Sequence, residues 1–166
     1  MKHLIVLAVL TALHLPILAQ ETTVARFFDH LRQFDSEISL TLEGPMLQTI
    51  LSAVEDEDGL KFLEKITKVQ IMTFEKAPKS VLKDVRRVVT DLQKESFQQV
   101  LQLREENTDV EVWAQASEDL ITQAFLYVQT DTETICIGLE GSFSPEDLKD
   151  SGLQDAGKRF LPKGKA

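Results

Sequence analysis

The residues that could do chemistry are few. The chain has one cysteine, Cys136, and three histidines, His3, His14 and His30. A Cys–His pair is the only conceivable nucleophilic set. A thiol nucleophile needs its pKa lowered by a helix amino terminus or a cationic neighbour. Cys136 lies instead between Ile135 and Ile137, in a stretch that reads as a strand, so a structural thiol is expected. His3 and His14 lie within the first 19 residues, so a mature chain would keep His30 alone, and one His and one Cys make a poor zinc set, which would have to lean on carboxylates. The densest acidic run is Glu55-Asp56-Glu57-Asp58-Gly59. In a helix–loop–helix calcium loop the glycine is the sixth position. That registration puts Val54 first and Lys65 last, so both ligand positions fail and a solvated loop is expected. No glycine-rich phosphate loop and no Gly-x-Ser-x-Gly elbow is present. No catalytic residue, cofactor site or metal site follows from the sequence, and an enzyme is not the expected reading.

The elements that would position any site are better marked. Residues 96–143 alternate apolar and polar side chains almost throughout and read as an antiparallel meander of four short strands. Register can be argued from the pattern, because a one-residue slip exchanges the two faces. A two-residue loop at Thr132-Glu133 sets Leu126 and Val128 against Leu139 and Ile137, an aliphatic core face. The same register puts Tyr127 opposite Gly138 and Gln129 opposite Cys136. A loop centred on Glu118 puts Val112 with Ala124 on the aliphatic side. Trp113 then joins Phe125 and Tyr127 on the other face. These three aromatics mark a candidate interaction patch, unless a helix of the same chain covers them. The segment with Phe27, Phe28 and Phe34 is the obvious cover.

Ahead of the meander, Val24, Phe27, Phe28, Leu31 and Phe34 recur at helical spacing behind the capping residues Thr22 and Thr23. His30 and Arg32 fall off that stripe, toward solvent. Residues 37–43 alternate as a half-buried strand, and Gly44-Pro45 ends it and opens a helix. Residues 67–75 form a second strand, with Val69 and Ile71 on one face and Met72 and Phe74 on the other. Residues 80–94 form an amphipathic helix with Val81, Leu82, Val85, Val88, Val89 and Leu92 in one stripe. A helix between the first two strands suggests a parallel pair by right-handed crossover. Ser144-Pro145 starts a short last helix. The order is that of an α+β domain, a mixed or mostly antiparallel sheet with helices packed on one face.

Residues 1–19 carry a basic start, an apolar run of about ten residues and a small residue before Gln20, the pattern of a secretory signal peptide. Cleavage after Ala19 is expected. The run is too short for a membrane span, which needs about 20 residues, and no later segment could span a bilayer. Residues 20–150 read as one α+β domain, and residues 151–166 as a polar, disordered tail with Lys158, Arg159, Lys163 and Lys165. The balance is acidic, 27 Asp and Glu against 18 Lys and Arg. Phosphate backbones repel such a surface, so nucleic acid is not an expected partner.

The element order, with Gln123-Ala124-Phe125-Leu126-Tyr127-Val128, Thr134-Ile135-Cys136-Ile137-Gly138-Leu139-Glu140-Gly141-Ser142-Phe143, an acidic short helix, and the early Ile38-Ser39-Leu40-Thr41-Leu42-Glu43-Gly44, is similar to the bacterial domain-of-unknown-function family 4252. That resemblance covers about residues 22–150 and implies an exported cell-envelope protein of Bacteroidetes-type bacteria, without catalytic residues to carry over. Relatives often sit beside genes for extracytoplasmic-function sigma factors, which hints at envelope signalling. Many relatives carry a lipid-anchoring cysteine. This chain has none after its apolar run, which favours a soluble periplasmic or secreted protein. The functional expectation is a non-enzymatic module that binds a protein partner, with self-association through a meander edge open. The alternative is a periplasmic carrier of a lipid or small apolar ligand.

Overall fold

The computed structural model describes residues 22–51 and 61–150. The signal-peptide reading, the acidic run 55–59 and the basic tail lie outside the described residues. Helix α1 (Thr23–Leu31) is followed by strand β1 (Ile38–Glu43), α2 (Gly44–Leu51) and β2 (Ile66–Glu75). Then come α3 (Lys79–Lys94), β3 (Gln98–Glu105), β4 (Thr108–Ser117), β5 (Leu120–Thr130), β6 (Glu133–Phe143) and α4 (Pro145–Asp150). The strands form one six-stranded sheet in the order β1-β2-β6-β5-β4-β3. Every neighbouring pair is antiparallel. The fold is α+β, with the four-strand meander that the alternation predicts.

Two expectations change. β1 and β2 run antiparallel, with Leu40 opposite Ile71, rather than parallel. The right-handed crossover rule governs only strands that end up parallel. Here α2 and the helical turn at 61–63 fold over the end of the sheet and send the chain back beside β1. The helices also lie on both faces. α1 and α3 cover one face. Leu47 of α2 and Phe62 pack with Leu42, Val69, Ala114, Ala124 and Leu139 on the opposite face, at one end only.

The covered face holds the main core. Val24, Phe27, Phe28 and Leu31 from α1 and Val81, Val85, Val88 and Leu92 from α3 meet Met72, Phe74, Trp113, Phe125, Tyr127 and Cys136 from the sheet. Helix α1 starts where the sequence indicates: the Thr22 hydroxyl accepts from the Ala25 N–H at 3.1 Å, which satisfies one of the free amides of the first turn. Phe27 and Phe125 meet edge to face, their centroids 5.4 Å apart, a favoured geometry for aromatic quadrupoles.

The meander register is two residues away from the predicted one. Leu126 pairs with Ile137, Val128 with Ile135 and Tyr127 with Cys136, so the two-residue turn is Asp131-Thr132. Thr130 explains the choice: its hydroxyl accepts from the Thr132 and Glu133 N–H groups at 3.3 and 3.0 Å, a side-chain-capped turn. The second hairpin shifts alike, with Val112 opposite Leu126 rather than Ala124. A shift of two keeps every side chain on its predicted face. It also brings Phe125 rather than Tyr127 opposite Gly138.

Gly138 is where α1 seats. A Cβ added there would lie 2.7 Å from Phe28 Cε2 and 2.9 Å from Val24 Cγ1, so the helix approaches the sheet as closely as a missing side chain allows. Phe28 is fully buried and has nowhere to retreat. Gly138→Ala should therefore cost about 1–3 kcal/mol through overpacking, read as a lower urea midpoint with unchanged slope.

α4 is held by a reciprocal cap. The Ser144 N–H donates to Asp147 Oδ2 at 2.7 Å, and the Asp147 N–H donates to Ser144 Oγ at 3.1 Å. Lys65 Nζ lies 2.7 Å from Asp147 Oδ1. The Lys65 hydrogen bond, with help from Ser144, pulls the Asp147 carboxyl down to about 2. A depressed carboxylate stabilises the fold above its unfolded pKa, about 3.9. That contribution fades as pH falls from about 4 through about 2. A carboxyl titration by NMR should place the Asp147 midpoint near 2, and Lys65→Gln should move it upward.

Candidate interaction surface

Cys136 and His30, the only candidate nucleophilic pair, are on elements that keep them apart in role. Cys136 lies on β6, fully buried beneath α1 and α3, and burial pushes its thiol well up from the usual range. His30 lies on α1, half exposed, with Nε2 2.9 Å from Asp84 Oδ2 of α3. That partner was not legible in the sequence, because it is 54 residues away.

His30 and Asp84 line a groove of about 570 Å³ between α1 and α3, with Arg26, Arg87, Lys94 and Glu95. Its charges are matched within the groove. Arg26 pairs with Glu95 at 3.4 Å, Arg87 with Asp84 at 3.2 Å and Lys94 with Asp91 at 2.9 Å. The Thr23 hydroxyl donates to Glu95. No charge is left over to select an ionic ligand. The exposed pairs contribute little individually, so the groove is a joint between two helices.

The three aromatics predicted as an interaction patch lie in the core. Trp113, Phe125 and Tyr127 are 4%, 0% and 6% exposed, beneath the α1 phenylalanines that the sequence offered as cover. Their polar atoms are satisfied at the margin of that core: Trp113 Nε1 donates to Glu111 Oε2 at 3.0 Å, and the Tyr127 hydroxyl donates to Gln129. Burial raises the Tyr127 phenol far above its ordinary value. A patch built on these residues has no surface to offer.

The open face is the other one. The register sets one aliphatic side chain from every strand in a row: Leu40, Ile71, Ile137, Leu126, Val112 and Leu101. None of the six is buried. Leu40 and Leu101, on the edge strands, are 38% and 44% exposed, and the four between them are half-buried. The aliphatic layer expected as core is thus core only in part. Val128 is buried, whereas Leu126, Ile137 and Leu139 keep contact with solvent. The physical reason is that the large aromatic helix faces went to the opposite side of the sheet, while Leu47 of α2 packs with Phe62 at one end of this face. A continuous aliphatic band across a whole sheet is the kind of surface that marks an interaction site. Sequence reasoning placed Val112, Leu126 and Ile137 on one face correctly, but it did not join Leu40, Ile71 or Leu101 to that face and took the layer for core.

A family profile described as Domain of unknown function (DUF4252) matches residues 33–150. No curated protein matches the sequence. Among solved structures, the crystal structure of PA94, a protein of unknown function from Pseudomonas aeruginosa, is similar at 11% identity. That match covers 80% of this chain and 88% of the other with a TM-score of 0.37, too distant to transfer detail. Among the described residues, no helix is long and apolar enough to cross a membrane.

The buried thiol gives a direct check on the core. Native protein at pH 8 should leave Cys136 unmodified by a thiol-specific disulfide reagent for hours. In denaturant it should react at once and stoichiometrically.

Proposed function

The chain belongs to the DUF4252 family, and we propose that it is an exported, non-enzymatic protein-binding module of the cell envelope that docks its partner on the open aliphatic face of the sheet. The carrying observation is the six-residue row from Leu40 to Leu101, no member of which is buried and whose two edge members are exposed. Export is supported by the basic start, short apolar run and Ala19 of the leader. A role in envelope signalling or maintenance belongs to the same reading. Its support is the family resemblance.

Exposed aliphatic side chains favour a partner that supplies apolar side chains of its own. The flat shape of a sheet favours a protein surface over a small ligand, which prefers a concavity. The carrier alternative would hold its ligand between the meander and the helices. That space contains Phe27, Phe28 and Phe125, with ring centroids 5.4–6.4 Å apart, and no observation favours a ligand there.

Co-purification from an envelope fraction tests the reading, with the wild-type chain and the double variant Leu40→Lys/Leu101→Lys side by side. Both positions are exposed, so the fold should be kept. The expected result is a specific partner depleted at least tenfold on the double variant and retained by Lys94→Glu in the interhelical groove. Retention of that partner by the double variant would refute the surface.

A further inference from the structure

We propose that the outer crest of α3 is a docking strip for anionic lipid headgroups, which holds the helical side of the protein against a membrane surface. The inference goes beyond the docking reading above and concerns the opposite side of the molecule.

The strip follows from helical spacing. Val81, Val85, Val88 and Leu92 are the buried residues of α3. At 3.6 residues per turn, Lys79, Lys83, Arg86, Arg87 and Lys94 all fall within about 50° of the line directly opposite that stripe. All five are exposed. The other exposed residues of the helix, Ser80, Thr90 and Gln93, are uncharged. Its two acids, Asp84 and Asp91, are half-buried and line the groove toward α1. A chain of formal charge -9 thus carries a cationic strip, about 22 Å long at the helical rise.

The fold gains nothing from this arrangement. Lys79 and Lys83 are four residues apart, as are Lys83 and Arg87, and Lys83 and Arg86 are three apart. Like charges at these spacings destabilise a helix. The positive end of the helix dipole favours acids and opposes cations, yet Lys79 opens α3 and no acid stands in its first turn. Arg87 and Lys94 are offset by Asp84 and Asp91 at 3.2 and 2.9 Å. Lys79, Lys83 and Arg86 have no ion pair among the described residues. Three cations within about 10 Å along the axis are therefore left repelling one another.

The chemistry of the strip selects its partner. A protein interface buries an apolar core and is depleted in lysine, whereas no apolar side chain of α3 is exposed. An anionic leaflet asks for none. Its surface potential attracts each nearby Lys or Arg, and fluid headgroups adjust to a convex helix. Glu75, Glu105 and Glu133 are on the far side of the sheet, and their repulsion is largely screened beyond a Debye length of about 8 Å at physiological salt. Bound in this way, the protein turns its helices to the membrane and its aliphatic band away from it, because α3 covers the aromatic side of the sheet.

Vesicle flotation tests this with the chain from Gln20 onward, as export would leave it. The vesicles are phosphatidylcholine, with or without phosphatidylglycerol as about a third of the lipid. The wild-type chain is expected to float with the anionic vesicles and not with pure phosphatidylcholine, and to be released at about 0.5 M salt. Each cation near an anionic leaflet multiplies affinity about fivefold, so Lys79→Gln/Lys83→Gln/Arg86→Gln should lower the partition by roughly twentyfold or more. The charge-keeping exchange Lys79→Arg/Lys83→Arg/Arg86→Lys should stay within about twofold of wild type, since the leaflet reads charge. All three positions are exposed, and the glutamine variant should match or exceed the wild-type urea midpoint, which shows that it folds. The basic carboxy-terminal residues are present in every variant, so the difference belongs to the crest. Absence of flotation in the wild type, equal flotation with neutral vesicles, or an unchanged partition in the glutamine variant overturns the proposal. So does a crest that captures an acidic protein from the envelope fraction but no vesicles.

Discussion

The close seating of α1 on the sheet is the contact on which the rest of the structure depends. Phe28 and Val24 occupy the space that a side chain at Gly138 would fill, and Phe27 continues the contact onto Phe125. With α1 drawn in to that distance, α3 packs beside it and the two helices roof the central strands. One glycine therefore decides which face of the sheet becomes the main core. Phe74, Trp113, Phe125 and Tyr127 go beneath α1 and α3, whereas Phe62 and Phe143 pack together in the cluster at one end of the opposite face. The aliphatic residues are left with α2 and the turn at 61–63, enough to cover one end.

That division of labour explains how the polar groups are arranged. Trp113 and Tyr127 can be buried because their N–H and O–H groups sit at the margin, where Glu111 and Gln129 accept from them. In the groove between α1 and α3, Arg87–Asp84 and Lys94–Asp91 pair within α3, and Arg26–Glu95 and His30–Asp84 pair across it, so its charges are matched. On the opposite face Glu75, Glu105 and Glu133 lie at one end of the sheet, so the aliphatic band is bounded on one side by negative charge.

Much of this was legible in the sequence. Strand alternation assigns each meander residue to its face, and helical spacing finds α1 and α3 with their buried stripes. The capping residues Thr22 and Ser144 mark two helix starts. What the pattern could not supply was the pairing across long separations. Alternation is indifferent to a slip of two, so only the Thr130 turn fixes Asp131-Thr132 as the loop. Likewise, a helix between two strands says nothing of whether the second strand runs with the first or against it. The face that stays open was misjudged for a related reason. Trp113, Phe125 and Tyr127 look like a binding patch and Leu126, Val128, Ile137 and Leu139 look like a core until the number of available helix faces is counted. Among the described residues, α1 and α3 carry the buried stripes, and both go to the aromatic side.

The seating of Phe28 on Gly138 also dictates an order of events. Helix α1 seats against β6, more than a hundred residues later, and the sheet order sets β2 against β6 across a shorter but still long span. Contacts between such distant parts of a chain close slowly, because the loop entropy is lost before the contact is gained. A growing chain of this sequence cannot complete its core until β6 has emerged. On the export reading proposed above, such a delay protects a chain threaded unfolded across a membrane from folding on the wrong side.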